Sequence, residues 1–221
     1  MREVDFITTI HTSTKRDYLQ RVTEHDKAEC AELARQWGYD YWDGARHHGF
    51  GGYTYDGRWR AVAEKIAAHY DLKAGQKVLD VGCGKAFLLY ELTQVVPGLE
   101  VSGIDISSYA IEHAKEEMKP FLSEGNCTDL SIYDDGAFDL VYSINTFHNL
   151  LNFELQSALK EMNRVGRDNK YICVEAYRSE REKVNLMYWQ LTCEVFWRPE
   201  EWLWFYQQCG YDADYSFIYF T

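Results

Sequence analysis

Two groups of residues in this chain have the types and the spacing needed to bind an organic ligand. The run DVGCG, residues 80–84, follows a short apolar stretch, and Asp105 lies about twenty residues further on, after a second apolar stretch. Glycines at a strand-to-helix turn let the main chain approach a ligand closely. An acidic side chain at the place of Asp105 accepts hydrogen bonds from the hydroxyls of a ribose. The pattern predicts a site for a ligand that contains a nucleoside.

Two other kinds of glycine-rich ligand loop fit the sequence poorly. A dinucleotide fingerprint requires glycine where Phe87 stands, and a P-loop requires Ser or Thr after Lys85, where Ala86 stands. The stretch YWDGARHHGFGGYTYDGRW, residues 41–59, is richer in glycine, but it follows no strand, so neither mechanism applies to it. An NAD-dependent oxidoreductase is therefore the least favoured alternative.

The elements that must position these residues alternate along the chain. Five strands are predicted in order, at KVLDVGC, at LEVSGIDI, at a short segment just before Gly125, at FDLVYSI and at KYICVEAY, with helices between them. This order predicts an α/β fold, a Rossmann-like open sheet, mostly parallel, of seven strands or slightly fewer, with helices on both faces. The closing stretch YDADYSFIYF is a further strand, and LTCEVFW is the candidate for its hairpin partner. We divide the chain into an N-terminal helical and aromatic lid extension, residues 1–75, and a core, residues 76–221.

The core resembles the class I S-adenosylmethionine-dependent methyltransferases, in particular those that act on small molecules. VLDVGCGKA is similar to the first motif of that family, with Ala86 where a third glycine is common. VSGIDIS is similar to the second motif, and GNCTDLSIYDDGAFDLVYSINTFHNL to the run from the adenine-binding turn to the fourth strand. KEMNRVGRDNKYICVEAY resembles the following helix and fifth strand. Four motifs in order make the resemblance specific over residues 76–177.

The resemblance implies S-adenosylmethionine as the cofactor, S-adenosylhomocysteine as its product, and a set of binding residues. Asp80 would face the ammonium group, Asp105 the ribose and Ile106 the adenine ring. Asn126 stands where the family usually has Asp, and it would border the adenine edge. The full set of implied cofactor-binding residues is Asp80, Gly82, Cys83, Gly84, Asp105, Ile106, Asn126, Cys127, Ser143 and Asn145.

Methyl transfer requires an aligned nucleophile, exclusion of water and removal of a proton. His148, after the fourth strand, is the first candidate for a general base, and His48 in the aromatic stretch is its rival. Either histidine could instead make only local hydrogen bonds. The histidines predicted to lie on the surface are His11, His25, His69 and His113.

Acceptor specificity in this family usually depends on the N-terminal extension and on the segment after the fifth strand, and both are aromatic here. Tyr41, Tyr53 and Arg58 are the predicted acceptor residues in the first, and Tyr177 and Arg178 in the second. The two arginines could anchor an anionic acceptor, although surface ion pairs explain them equally well. Aromatic rings with polar tips can form a lid that both packs and donates hydrogen bonds.

The amino-acid composition limits the classes of partner expected for this chain. The 221 residues carry a formal net charge of −12, which disfavours a nucleic-acid partner because phosphate neutralisation needs basic residues. No apolar run approaches the roughly 18 residues of a membrane span, and the N-terminus lacks a signal-peptide pattern, so a cytoplasmic location is expected. The six cysteines lack a C-x-x-C pair and are predicted to be free buried thiols, with no metal site.

The sequence thus predicts a methyltransferase acting on an oxygen or nitrogen of a small polar metabolite, such as a sugar or a biosynthetic intermediate. A protein that binds S-adenosylmethionine or S-adenosylhomocysteine without catalysis is the alternative. The acceptor is expected to be the main partner, and a homodimer is compatible with the sequence.

Overall fold

The computed structural model of the protein describes residues 1–12 and 16–221. Seven strands form one sheet in the order β1-β7-β6-β5-β2-β3-β4, and every neighbouring pair is parallel. The strands are β1 Arg2–Glu3, β2 Lys77–Val81, β3 Glu100–Asp105, β4 Leu122–Glu124, β5 Phe138–Ile144, β6 Gly166–Glu175 and β7 Asp214–Ile218. The predicted Rossmann-like fold is confirmed, with the sheet wholly parallel.

Helices connect the strands and also make up most of the N-terminal extension. They are α1 Thr8–Thr12, α2 Tyr18–Thr23, α3 Lys27–Ala34, α4 Tyr39–Trp42, α5 Arg60–His69, α6 Phe87–Val95, α7 Ser108–Glu112, α8 Asn152–Val165, α9 Glu180–Trp189 and α10 Pro199–Gln208. Short 3-10 helices span Lys119–Phe121 and Phe147–Asn149. Within the described ranges, every helix falls short of the length and apolar character that crossing a bilayer requires.

The sheet is buried on both faces, which explains why its central strands are almost continuously apolar. Successive side chains point to opposite faces, so Val78 packs with α5 and α6 while Leu79 packs with α8 and α10. The two apolar layers are closed by Ile66 and Leu89 on one side and by Trp202 on the other, all nearly inaccessible to solvent.

The last edge of the sheet differs from the hairpin expected from the sequence. β7 runs parallel to β6, and residues 191–197 form no strand. The outermost strand is β1 instead, which pairs Arg2 with Asp214 and Glu3 with Tyr215. The Arg2 guanidinium also donates to the Asp214 carboxylate at 2.8 Å, so the edge is held by main-chain and side-chain bonds together.

The strand order reverses between β2 and β5, and ligands of open parallel sheets bind at the carboxyl ends of such a pair. The chain turns sharply there. Gly82 and Gly84, after β2, have positive φ, and so do Ala86 and, after β5, Asn145. A left-handed backbone conformation is uncommon for Ala and better tolerated by Asn. Four such residues in two adjacent turns are typical of a functional site, and they lie where the strand order reverses.

Candidate active site

A cavity of about 760 Å³ lies at the carboxyl ends of the strands, between the sheet and the N-terminal extension. Its volume is within the range of roughly 300–1,000 Å³ that small-molecule sites occupy. It contains most of the residues singled out in the sequence. Those in its lining are Tyr41, Tyr53, Arg58, Asp80, Gly82, Cys83, Gly84, Asp105, Ile106, Asn126, Cys127, Asn145 and His148.

The glycine turn brings the main chain to the cavity wall. Gly82 has φ 83°, and a Cβ placed on it would overlap the Thr146 side chain from the end of β5. The Thr146 hydroxyl lies 3.5 Å from the Gly82 carbonyl oxygen, so the two strand ends are in direct contact. No side chain larger than hydrogen fits at Gly82, so the main chain of the turn itself forms this part of the cavity wall.

Asp105 is held rigidly at the end of β3. Its Oδ2 accepts from the Gly84 amide at 2.7 Å, and its Oδ1 accepts from the Ser107 amide at 2.8 Å. Burial raises the pKa of the carboxyl, while the two amides favour its charged form. Each carboxylate oxygen has a further lone pair for a ribose hydroxyl. Ile106 follows and is 53% exposed although it lines the cavity, which suits an apolar surface for a planar ring.

The hydrogen bonds of Asn126 determine which of its side-chain atoms could contact an adenine edge. Its Oδ1 accepts from the Thr128 amide at 2.9 Å and from the Thr128 hydroxyl at 3.0 Å. Because the oxygen is occupied, the amide nitrogen remains to donate to a ring nitrogen. The neighbouring Cys127 is buried, and burial raises the pKa of its thiol to about 12, so it stays protonated.

Asp80 lies buried at the end of β2, beside Tyr142 of β5. Burial raises the pKa of its carboxyl to about 8, and the negative charge of Asp105 adds to the shift. A cationic ammonium next to Asp80 would favour the charged carboxylate and offset this cost. The polarity of the site thus fits a ligand with a cationic group near β2 and a ribose near β3.

The far side of the cavity holds a buried acid and a buried histidine. Glu175 ends β6, and its Oε2 lies 3.5 Å from Nε2 of His148. Burial raises the pKa of Glu175 to about 8 and lowers that of His148 to about 3, so near neutral pH both are largely uncharged. The Gln190 amide donates to the other Glu175 oxygen. Glu175 Oε2 and His148 Nδ1 make no hydrogen bond within the described residues, which leaves both free to meet a ligand.

Glu175 was missed in the sequence because its carboxylate stands inside an apolar strand-like run. The available signal was its position at the carboxyl end of the fifth predicted strand, the same relationship that singled out Asp105 at the end of the second.

The aromatic stretch, called the lid below, packs over the glycine turn. The Trp42 indole nitrogen donates to the Ser107 hydroxyl at 2.9 Å, next to Asp105. The buried Lys85 ammonium bonds both carboxylate oxygens of Asp43 at 2.7 Å and the Tyr53 carbonyl oxygen at 2.9 Å. The lid is therefore fixed to the turns after both β2 and β3.

Two predicted lid residues have defined places. Tyr53 stacks on Phe87 with ring centroids 5.0 Å apart, and its hydroxyl accepts from the Trp59 indole nitrogen. Tyr41 packs edge-on against Trp42 and Phe50. Burial raises the pKa of both tyrosine hydroxyls, so both remain protonated donors.

Four predicted site residues lie outside the cavity lining. The Ser143 hydroxyl is buried and donates to the Val81 carbonyl oxygen at 2.9 Å, so it joins β5 to β2. His48 is directed to Asp40, with 3.5 Å between Nδ1 and Oδ1. Tyr177 packs under the cations of Lys183 and Arg198, and Arg178 forms an ion pair with Glu182.

Arg58 lines the cavity but is already paired, since it binds Asp56 through Nε and Nη2. The surface-ion-pair interpretation thus fits both Arg58 and Arg178. Two histidines predicted on the surface are partly enclosed. His11 lines the cavity, where burial lowers its pKa to about 4, and His69 is bonded to Asp214 at 2.8 Å.

The six cysteines are free and buried, as expected. Across residues 1–12 and 16–221, no group of three or more His, Cys, Asp or Glu side chains is arranged to hold a metal ion.

The chain matches the family described as Methyltransferase domain over residues 72–210. Among curated proteins, it is 34% identical over 125 residues to a demethylmenaquinone methyltransferase of Bacillus cytotoxicus, which covers 53% of this chain and 50% of that protein. It is 42% identical over 81 residues to a phosphoethanolamine N-methyltransferase of Triticum aestivum, covering 34% of this chain and 16% of that protein. The chain spans about half the length of the first curated relatives it matches.

Among solved structures, the [4+2]-cyclase SpnF superposes with a TM-score of 0.54 at 18% identity, over 77% of this chain and 61% of that chain. This likeness concerns the fold alone. The names of the two curated relatives refer to different acceptors, so the shared feature is the methyltransferase domain and not the acceptor.

Proposed function

Because this chain belongs to the class I S-adenosylmethionine-dependent methyltransferase family, we propose that it transfers a methyl group from S-adenosylmethionine to an oxygen or nitrogen of a small polar metabolite. The observation that carries the proposal is the single cavity that joins the glycine turn and Asp105 to the buried pair Glu175 and His148. One cavity gives a cofactor and an acceptor a shared, enclosed space in which their reacting atoms can be aligned.

The residues at the sheet reversal would hold the cofactor in one orientation. Asp80 would bind its ammonium group, Asp105 its ribose hydroxyls and the Asn126 amide nitrogen its adenine edge. When bound, S-adenosylmethionine supplies an electrophilic methyl group on a sulfonium. The lid is fixed through Trp42 and Lys85, and it would shield the space between the two halves of the cavity from water.

The pair Glu175 and His148 would remove the proton that an acceptor hydroxyl or amine loses. The Glu175 carboxylate, once ionised, is the stronger base of the two, because burial favours its protonated form. The neutral His148 ring lies beside it and can share the proton. Since the two groups are in contact, their titration belongs to the pair.

Calorimetry with S-adenosylhomocysteine tests the cofactor half of the proposal. We expect binding of S-adenosylhomocysteine and none of NAD, and the reverse result would overturn the proposal. Asp105→Asn should weaken binding about tenfold or more, because hydrogen bonds to a charged group are worth about 1.5–3 kcal/mol. Asp139→Asn is the matched control, since Asp139 also accepts from a main-chain amide, that of Lys77, but at the start of its strand.

Transfer itself is tested with S-adenosylmethionine carrying a labelled methyl group and a panel of small hydroxyl and amine acceptors. Label in an acceptor supports the proposal. Tight binding of S-adenosylhomocysteine with no label transferred to any acceptor would favour the non-catalytic binding protein.

A further inference from the structure

Arginine side chains gather around one indole ring in the lining of the same cavity. Arg21 of α2, Arg46 after α4, and Arg16 all line the cavity, as does Trp189 at the end of α9. Their guanidinium carbons lie 4.6 Å, 5.1 Å and 5.3 Å from the centre of the Trp189 ring, respectively. This cluster stands in a chain whose net charge is −12, so it is a local reversal of the overall charge.

The bonds that Arg21 and Arg46 make differ from those of most other arginines in the molecule. Arg21 donates from Nε to the Trp189 carbonyl oxygen at 2.6 Å and from Nη1 to the Arg46 carbonyl oxygen at 3.0 Å. Arg46 donates from Nη1 to the carbonyl oxygens of Gly49 and Phe50. In the described part of the chain, the hydrogen bonds of both side chains go to main-chain carbonyls alone. The arginines that pair with carboxylates are Arg2, Arg35, Arg58, Arg60, Arg164, Arg167, Arg178 and Arg198.

These bonds fix the two guanidinium groups and leave donors unused. A guanidinium carries five N–H groups in a planar fork. Nη2 of Arg21 and both Nε and Nη2 of Arg46 donate to no atom of residues 1–12 or 16–221. The fork suits the oxygens of a carboxylate or a phosphate, which it can bind through two parallel hydrogen bonds.

The positive charges also repel each other. Burial lowers the pKa of Arg21 to about 10, and the neighbouring charge of Arg46 lowers it further. Partial burial of the Arg46 guanidinium likewise lowers its pKa, although the residue as a whole is exposed. An anion between the two groups would remove this repulsion, and the fixed positions of both side chains mean that little order must be gained on binding.

The cluster is joined to the proposed catalytic pair through adjacent residues. Gln190, which donates to Glu175, directly follows Trp189. Arg16 and Glu175 also influence each other electrostatically. Trp189 and Glu175 therefore lie in connected parts of the same cavity lining.

We infer that the acceptor carries an anionic group, a carboxylate or a phosphate, and that Arg21 and Arg46 bind this group above Trp189. The inference rests on the proposed function, since it describes the acceptor of that reaction. The remainder of the acceptor lies between Trp189 and the pair Glu175 and His148, with its reacting oxygen or nitrogen at the pair.

The test measures binding of inorganic phosphate and of acetate to the protein saturated with S-adenosylhomocysteine, by calorimetry and by thermal stability, against sodium chloride at equal ionic strength. We expect one of the two anions to bind and to raise the melting temperature above the chloride value. The anion that binds more tightly identifies the class of the acceptor group. Equal behaviour of phosphate, acetate and chloride would overturn the inference.

Three substitutions locate the binding. Arg21→Gln and Arg46→Gln should each weaken binding of the preferred anion at least tenfold. Arg46→Lys keeps the charge but loses the fork, so it should weaken binding less than Arg46→Gln does. Arg181→Gln, on the exposed part of α9, removes the same charge outside the cavity lining and is the matched control.

The outcomes separate this inference from the proposed function. Retained binding of S-adenosylhomocysteine with anion binding unaffected by Arg21→Gln and Arg46→Gln would refute the anion site and leave the methyltransferase proposal standing. Failure of S-adenosylhomocysteine to bind would refute the proposed function, and anion binding is then measured on the protein alone. Should Arg21→Gln fail to fold, the variants at the exposed Arg46 test the anion site on their own.

Discussion

The indole ring of Trp42 lies against Gly84, so closely that a Cβ built on the glycine would come within 2.7 Å of the ring carbon Cη2. The lid and the glycine turn are therefore fitted to each other without a gap. A change in either surface must displace the other.

Gly84→Ala should weaken binding of S-adenosylhomocysteine, because the added methyl group pushes Trp42 and the turn apart. Overpacking of this kind costs about 1–3 kcal/mol, which corresponds to roughly 5- to 150-fold in affinity where the whole cost falls on binding. Gly210→Ala is the control, since Gly210 also has positive φ but nothing within 4 Å of the added carbon. Calorimetry compares the two variants, and equal affinities would show that contact between Trp42 and Gly84 does not govern the cofactor site.

The rate of methyl transfer should rise with pH up to about 8, where Glu175 loses its proton and becomes able to accept one. Glu175→Gln should lower the rate and abolish this rise. Glu182→Gln is the matched control, because Glu182 is paired with Arg178 away from the cavity. Rates are measured at saturating S-adenosylmethionine, so that an effect of Asp80 protonation on cofactor binding does not change the pH profile of the rate. A Glu175→Gln profile parallel to that of the wild type would exclude Glu175 as the proton acceptor.

Stability should fall in acid partly because of His148. Burial lowers its pKa to about 3 from an ordinary value of 6.5, so the unfolded chain binds a proton that the folded chain does not. By linkage, stability decreases as the pH falls from 6.5 toward 3. His148→Gln should reduce the slope of unfolding free energy against pH in this window, measured by urea denaturation. An unchanged slope in His148→Gln would contradict the role given to the buried His148 ring.

Removing Asp43 from its ion pair with Lys85 should lower the free energy of unfolding more than removing Lys85 does. Asp43→Ala leaves the buried Lys85 ammonium without its carboxylate, which costs about 3 kcal/mol. Lys85→Met leaves a partly exposed Asp43 and should cost less. Thermal unfolding of both single variants and the double variant measures the difference, and we expect the double variant to be more stable than Asp43→Ala. Equal losses of stability in the two single variants would show that burial of the Lys85 ammonium does not determine the cost of breaking the pair.

The part of the cavity around the glycine turn could be predicted from the sequence because its signals are local. Residues 80–84 and Asp105 each end an apolar strand, and parallel strands bring such ends together whatever the details of packing. Family membership and fold followed from these short-range features.

The acceptor half could not be predicted in the same way, since it depends on contacts between distant parts of the chain. Arg21 and Arg46 meet Trp189 only after the N-terminal extension has folded back over the sheet. Sequence reasoning chose Arg58 and Arg178 instead, and both found nearby carboxylates. The edge strand β1 is two residues long, too short to show any alternation, and its pairing with β7 depends on tertiary packing.

That edge strand has a mechanical consequence. The N-terminal extension is secured at one end by β1 on the outer side of β7 and at the other by α5, which packs on α6. A segment tied at both ends cannot swing away like a hinged flap, so any opening of the extension takes place through local bending within it. Its glycine pair, Gly51 and Gly52, both with positive φ, offers the least resistance to such bending. Because the ends are already held together, closing over a ligand costs less chain entropy than ordering a free tail would.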